Sequence, residues 1–272
     1  MDTTIVAVYA LCADILIALR HQDDCRAKMT DAEVMTTALV AMLYFSGNFE
    51  KARIFMYDMG YIPSMLSKSR FNRRLHRVKP LFLTVFALLG EYWKELNDQA
   101  IYSIDTFPVP VCDNYRISRC RLYQSEDYRG YISSKKRYYY GLKLHLMITE
   151  HGQPVEFFLT PAATADVEGL QWFPFALPAG ATVYADRGYN HYAVEDDLAE
   201  IAITLQPMRK KNSKRAFPPW IRYLQHSYRK MIETTGSLIS QLLPKRIHAV
   251  TAVGFELKVT LFVLAISLQF IK

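Results

Sequence analysis

The 272-residue chain predicts an α/β protein, a mixed sheet flanked by helices and preceded by an all-helical N-terminal region. Three observations carry that expectation. The first hundred residues have apolar positions at helical spacing. The stretch Leu142-Lys143-Leu144-His145-Leu146-Met147-Ile148 then alternates at period two and leads into Glu150-His151-Gly152-Gln153, a hairpin turn signal. Beyond it, short strand-like runs and helical runs take turns, the pattern of a sheet with helices on its faces.

Taken in order, Ile5 to Leu19 reads as the first helix. Thr30-Asp31-Ala32-Glu33 is a capping box, in which the Thr30 hydroxyl accepts from the Glu33 amide while the Glu33 carboxylate reaches back. The helix it opens runs to Phe45 and stops at Gly47. Asn48 to Met59 is a second short helix, closed by Gly60. A third begins after Ser67 or Ser69 and ends at Val78, and Pro80 sits in the first turn of a fourth that reaches Leu96. Ile101 to Asp105 is the first predicted strand, the alternating stretch the second, and Val155 to Leu159 the third. Then follow a helix over Asp166 to Phe175, a strand over Thr182 to Asp186, a helix over Tyr192 to Glu200 and a short strand over Ile203 to Leu205. Long helices close the chain at Trp220 to Leu243 and His248 to Phe270. The domains expected are a helical region over 1–98 and a mixed-sheet domain over 99–272.

Composition bounds the function. An apolar fraction of 51% supports a sizeable core. Thirty-three Lys and Arg against 26 Asp and Glu leave a net charge of +7, which favours a polyanionic partner such as nucleic acid or an anionic membrane face. Cys12, Cys25, Cys112 and Cys120 lack CxxC spacing and read as buried free thiols of a reducing compartment. The N-terminus lacks the basic start of a signal peptide. The apolar stretches Ile5 to Leu19, interrupted by Asp14, and Val259 to Phe270 fall short of the ~20 residues of a membrane span. A cytoplasmic protein without a membrane partner is expected.

Three carboxylates stand where chemistry gathers. Asp105 ends the first predicted strand, Asp186 ends the fourth, and Glu233 lies in the long penultimate helix. Active sites of mixed sheets collect at strand ends, so the three can converge. Carboxylates packed together repel unless divalent cations neutralise them. Magnesium prefers oxygen ligands, and two ions ~3.5–4 Å apart suit in-line phosphoryl displacement. A strand-end aspartate is also a common turn or cap residue, and spacing alone does not separate the two readings. Asp113, Asp127 and Asp166 read as caps or turns, and His145 as a structural residue within reach of the site. His226 and His248 have no metal-ligand spacing.

The segments Ile104-Asp105-Thr106-Phe107-Pro108-Val109-Pro110-Val111-Cys112-Asp113-Asn114, Tyr184-Ala185-Asp186-Arg187-Gly188-Tyr189-Asn190 and Arg229-Lys230-Met231-Ile232-Glu233-Thr234-Thr235 resemble the DDE transposases of bacterial insertion sequences, most closely the insertion-sequence 982 family. The likeness extends to Tyr44-Phe45-Ser46-Gly47-Asn48, to Ser69-Arg70-Phe71-Asn72-Arg73-Arg74-Leu75-His76, to Ser133, Lys135, Tyr139, Gly141, Lys143 and His145, and to Lys245-Arg246-Ile247-His248-Ala249-Val250-Thr251. The resemblance implies an RNase H-like catalytic domain. It implies two Mg2+ (or Mn2+) ions per active site on Asp105, Asp186 and Glu233, with Arg229 one turn before Glu233 to steady that carboxylate or touch a phosphate. In neighbouring insertion-sequence groups a basic residue often stands seven positions after the glutamate. Ser240 occupies that position here, and Lys245 or Arg246 would take its place.

DNA contacts are expected at three basic stretches. Lys68, Arg70, Arg73, Arg74, Arg77 and Lys79 lie between Ser67 and Lys79 with no acid. Phe71, Leu75 and Val78 share one helical face and the arginines cover the other, which suits the groove-reading helix of a helix-turn-helix. From Pro207 to Arg246 there are ten basic residues, and the sole acid is Glu233. There Lys210, Lys211, Lys214 and Arg215 read as a phosphate-binding loop. Lys135, Lys136 and Arg137, with Arg129 and nearby tyrosines, interleave cations and aromatics as stacking on unpaired bases requires. Solvated surface is the alternative for the first two, and for the third the plain preference of tyrosines for strands.

The transposase would nick the ends of its element and join the exposed 3′ hydroxyls to target DNA. Double-stranded DNA (the element's terminal inverted repeats and the target) would be the partner, with a homodimer on DNA and a bacterial, nucleoid-associated location. A hydrolytic nuclease of the same fold and a catalytically silent DNA-binding repressor are the alternatives. No GxxxxGK[ST] loop is present.

Overall fold

Helix α1 covers Asp2–Ala18, α2 Asp31–Tyr44, α3 Phe49–Asp58, α4 Lys68–Arg77 and α5 Lys79–Glu95 in the computed structural model, which describes residues 1–209, 211–244 and 247–271. Their ends follow the local chemistry. The Thr30 capping box is formed in both directions, Asn48 caps α3 through the Lys51 amide, and Gly60 takes the positive φ of 75° that ends it. Phe71, Leu75 and Val78 are buried, as the spacing on α4 predicts.

The described residues group into two units, Met1–Leu88 with Ile239–Lys272, and Leu89–Leu238. The expected boundary at 98/99 assigned the last helix to the sheet. Instead α9, Ala252–Gln269, packs against α2 in the first unit. Its composition is the reason: α9 is apolar around most of its circumference, twelve of its residues are buried, and such a helix needs neighbours on several sides. Over 18 residues α9 is also long and apolar enough to cross a membrane on length and composition alone. The expectation counted a shorter run. In this structure 67% of that helix is buried within the protein.

The second unit is built on a six-stranded sheet: β1 Ile101–Asp113, β2 Arg129–Ile132, β3 Arg137–Thr149, β4 Pro154–Pro161, β5 Thr182–Ala185 and β6 Thr204–Pro207. The order is β2-β3-β1-β5-β6, with β4 pairing a different stretch of β3 from that paired by β2. β1 lies antiparallel to β3 and parallel to β5, and β5 lies parallel to β6. α6 (Asp166–Leu170), α7 (Tyr192–Glu200) and α8 (Pro219–Leu242) as far as Leu238 complete the unit, the last two residue for residue close to expectation.

Three elements differ from expectation. β1 does not stop at Asp105 but continues to Asp113 through Pro108 and Pro110. Those residues are two apart, so their nitrogens point to the same edge. β5 pairs β1 only as far as Ile104, so that edge is open and no ladder bond is lost. β2, short and flanked by 3-10 turns, was not foreseen. α6 ends at Leu170 rather than Phe175, since Pro174 disfavours helix at Phe173, and Phe175 has a φ of 45°. Of the four free cysteines only Cys12 is buried; Cys25 is exposed.

Candidate active site

Side chains alternate across a strand, so Ser103, Asp105 and Phe107 share one face of β1. The last rung of the parallel ladder is Ile104↔Ala185. Asp105 and Asp186 are therefore the next residues on neighbouring strands, whose backbones lie roughly 4.8 Å apart. Asp186 leaves the sheet at the end of β5 as predicted, whereas Asp105 is held within a continuous strand.

α8 covers this face. Tyr228 stacks on Tyr184 with ring centres 4.8 Å apart. Gln225 Nε2 donates to the carbonyls of Gln206 and Pro207 at 3.2 and 3.3 Å, and the Thr235 hydroxyl donates to the Gly152 carbonyl at 3.1 Å. Gly236 lets the helix close on β1, because a Cβ there would stand 2.0 Å from the Phe107 ring. These contacts fix the helical face that carries Arg229 and Glu233, four residues apart. Arg229 Nη1 lies 3.0 Å from Asp186 Oδ1 and its Nε lies 2.8 Å from Glu233 Oε1. One rigid guanidinium thus holds both carboxylates, which keeps them within roughly a nanometre of each other. A small crevice lined by Asp105, Asp186, Gln225, Arg229 and Ile232 joins Asp105 to the group.

The charges differ in kind. Burial pushes the Asp105 carboxyl up to about 7, the Asp186 charge adds to that, and the Thr106 amide, donating to Asp105 Oδ1 at 2.8 Å, opposes it. Asp186 and Glu233 are more open, with side chains 38% and 54% exposed. The hydrogen bond to Glu233, and secondarily the Asp186 charge, raise Arg229 above the ordinary arginine value.

The opposite face of β1 supplies groups that sequence reasoning did not assign to the site. Thr106 Oγ1 donates to Asp166 Oδ1 at 3.2 Å, and Lys143 Nζ donates to the same oxygen at 2.9 Å. Asp166 contributes to the raised pKa of Asp105. The buried Tyr189 phenol is held well above its ordinary value by burial first, then by Asp105 and Asp166. Lys143 belongs to the stretch that carried the resemblance, and Asp166 opens α6; the only sequence signal joining them was that Lys143 faces outward from a strand. Gly188 packs closely here, since a Cβ would lie 2.8 Å from Asp166 Oδ2. His145 is fully buried, stacked on Phe158 at 4.5 Å and bonded to Thr160 at 3.1 Å. Burial, helped by the Lys143 charge, lowers it to about 4 and keeps it neutral.

The donor set suits hard divalent cations: three carboxylates, no sulfur or imidazole, and one acid whose ionisation burial opposes until positive charge is near. Asp105, Asp186 and Glu233 are the residues that fit such ions. With Arg229 between two of them, their oxygens are not gathered within 4.8 Å. Among the described residues, the group of three ligand types that is gathered so closely is His21, Asp23 and Asp31. There Arg74 already supplies the positive charge, bonded to Asp31 and 3.9 Å from Asp23.

The expected DNA contacts fall into distinct states. Lys68, Arg70, Arg73 and Arg77 are exposed on α4. Arg74 turns inward to Asp31 and Asp23 with its side chain 15% exposed, so it does not share their surface. Lys135, Lys136 and Arg137 are exposed at the β2–β3 turn, where Lys136 takes a φ of 48° and Arg137 pairs with Asp113 at 3.1 Å. Beside them Tyr131 and Tyr138 are about half exposed with rings 4.9 Å apart, and Arg129 lies 4.6 Å over Tyr138. Lys211 and Lys214 are exposed, whereas Arg215 is held by both oxygens of Asp196. Lys210, Lys245, Arg246 and the Ser240 side chain lie outside the described residues.

The sheet and α8 bring two aspartates from neighbouring strands and a helical glutamate to one region of the second unit. Residues 96–250 match a family described as the transposase DDE domain, more than half of the chain, and the chain belongs to that family. No curated protein matches it. Among solved structures, it is similar to a piggyBac transposase in a synaptic complex with hairpin DNA, at 12% identity and a TM-score of 0.49, over 98% of this chain and 72% of that one.

Proposed function

We propose that this chain is a DNA transposase of the insertion-sequence 982 kind, which cuts at the ends of its own element and joins the 3′ hydroxyls to target DNA. The observation that carries the reading is the convergence of Asp105, Asp186 and Glu233 on the α8 face of the sheet, with Arg229 between two of them. The strand order β4-β3-β1-β5-β6, with β1 antiparallel to β3 and parallel to β5 and β6, supports an RNase H-like domain.

Asp105, Asp186 and Glu233 would hold two Mg2+ or Mn2+ ions, which when bound activate the attacking water or hydroxyl and stabilise the leaving 3′ oxygen. The protein's own groups do the rest. The Thr106 amide fixes one Asp105 oxygen. Arg229 orients the Asp186 and Glu233 carboxylates and presents the positive charge nearest them to a phosphate. Lys143 and Thr106 hold Asp166 in place, so that its charge reaches the site from behind without competing for the front face.

DNA follows from the basic surfaces. Exposed Arg70, Arg73 and Arg77 on α4 suit a duplex backbone or groove. The Tyr131–Tyr138 pair with Arg129 suits unpaired bases near a cut end. Lys211 and Lys214 suit phosphates. Joining two element ends calls for a homodimer on DNA, working on the bacterial nucleoid in the cytoplasm.

The test uses a labelled duplex carrying the element's terminal inverted repeat, with Mg2+ or Mn2+. Nicking and, from a pre-cut end, a joined product are expected; both should vanish in Asp105→Ala while end binding persists. Shortened fragments without joined product would establish a nuclease instead. Binding without either reaction would establish the repressor.

A further inference from the structure

The first unit contains a cleft of about 1240 Å3 that the catalytic reading does not use. It is lined by residues from three segments singled out by the resemblance outside the catalytic residues: 44–48, 69–76 and 247–251. Among the described residues its cations are Lys51, Lys68 and Lys258, with His76 and His248 beside them. The acid on its wall, Glu50, is already bonded to Arg53 at 2.7 Å. The first turns of α3 and α9 also open onto it, and helix N-termini add partial positive charge.

Lys258 is the most telling residue. Its ammonium donates to the His248 carbonyl at 2.7 Å and lies 5.0 Å over the Phe49 ring. Neither contact is an anion, and burial pulls its pKa below the ordinary lysine value. Tyr44, Phe45 and Phe49 line the same cleft; Tyr44 is exposed, while Phe45 and Phe49 are half-buried and tilted against Phe55 and Phe71. Ser46 and Gly47 hold successive positive φ values of 49° and 76° at its wall, and a Cβ at Gly47 would stand 3.0 Å from Phe262. Local strain of that kind is kept where the surroundings over-determine it.

Cations in a concavity call for phosphate, and aromatic rings beside them call for flat bases. The concave shape and volume suit a strand threaded singly rather than a duplex with two backbones. We propose that this cleft binds a few unpaired deoxynucleotides of a DNA strand, with phosphates against Lys68 and Lys258 and a base against Phe49. The site rests on the reading of the chain as a DNA transposase, but needs no metal and no chemistry.

The experiment measures binding of a labelled oligothymidylate of four nucleotides to the full chain in EDTA by fluorescence anisotropy. Lys258→Met and Phe49→Ala should each weaken it about tenfold, and the exposed-rim variant Lys68→Ala, which carries little risk of misfolding, about threefold. Photo-crosslinking of an iodouracil-bearing strand should map to residues 44–51 or 247–258. An abasic strand of equal length should lose the Phe49 dependence and keep the Lys258 dependence. Unchanged affinity in Lys68→Ala together with Phe49→Ala, or crosslinks confined to the sheet unit, would overturn the site. Equal competition by inorganic phosphate at matched ionic strength would overturn the base-binding half. Failure of cleavage with Mg2+ would count against the proposed reaction and leave these binding results standing by themselves.

Discussion

Replacing Asp105 by asparagine should make the metal-free protein more stable at alkaline pH while removing its cleavage. The Asp105 carboxyl is raised from 3.8 to about 7, with burial as the main cause. A carboxyl whose folded pKa exceeds its unfolded value favours folding in its protonated form. That contribution is complete below about pH 4 and is lost as pH rises through 7, because the folded state binds the extra proton in that window. About three pKa units at 1.36 kcal/mol each set an upper bound of about 4 kcal/mol, and partial solvation reduces it to about 2–3 kcal/mol. Asparagine keeps an oxygen for the Thr106 amide and carries no charge. In EDTA, chemical denaturation should therefore show Asp105→Asn more stable than wild type by that amount at pH 8.5 and equal to it at pH 4. Adding Mg2+ should stabilise wild type through linkage and the variant far less. A variant no more stable at pH 8.5 than wild type, or gaining equally at both pH values, would refute a buried, reluctantly ionised Asp105.

Arg229→Gln removes the cation held between Asp186 and Glu233; discounted for its exposure, that is about 1 kcal/mol. Calorimetry should show Mn2+ bound about fivefold more tightly, with cleavage reduced; weaker Mn2+ binding would mean that Arg229 positions the carboxylates without competing for them. Lys94 is buried against Glu156 at 3.1 Å and also bonds Glu91 and the Ala176 carbonyl. Lys94→Met should cost about 3–5 kcal/mol in urea denaturation by stranding Glu156, and Lys94→Met with Glu156→Leu should recover most of it. His145 has its folded pKa lowered to about 4 by burial, so its contribution is present above pH 6.5 and lost as pH falls through 4, about 3 kcal/mol in all. His145→Gln should flatten that acid slope in a pH series of denaturation curves. Gly236→Leu would drive a side chain into Phe107, and cleavage should fall at least tenfold while oligothymidylate binding is retained.

How much of this was legible in the sequence depended on whether the signal was local. The Thr30 capping box and α7 are written in adjacent residues, and each formed as read, whereas Asn48, read as the first residue of a helix, caps it instead. β1 misled because proline is a strand breaker in a central position, and the edge that makes Pro108 and Pro110 tolerable exists only once β5 ends at Ala185. Arg74 looked like its neighbours on α4, because the acids that turn it inward, Asp23 and Asp31, lie more than forty residues earlier. Asp166 read as a turn residue for the same reason: its partner Lys143 and its neighbour Thr106 arrive from two other strands. The carboxylates were found through resemblance and strand-end logic, and that logic holds for Asp186 but not for Asp105.

That exception has a chemical consequence. A strand-end aspartate is open to solvent, as Asp186 is with its side chain 38% exposed. Asp105 is instead enclosed by a strand that continues beyond it and by α8 packed down at Gly236, so it resists ionisation while Asp186 is its neighbour. Arg229 answers the two open carboxylates and reaches Asp105 only through its field. The site therefore keeps one acid whose charge is not matched by any side chain bonded to it, and positive charge brought from outside is what would favour its ionised form. If the three carboxylates hold divalent ions as proposed, metal affinity and proton release must be linked at Asp105. The continuation of β1 past that residue is then the feature of the fold that creates the linkage.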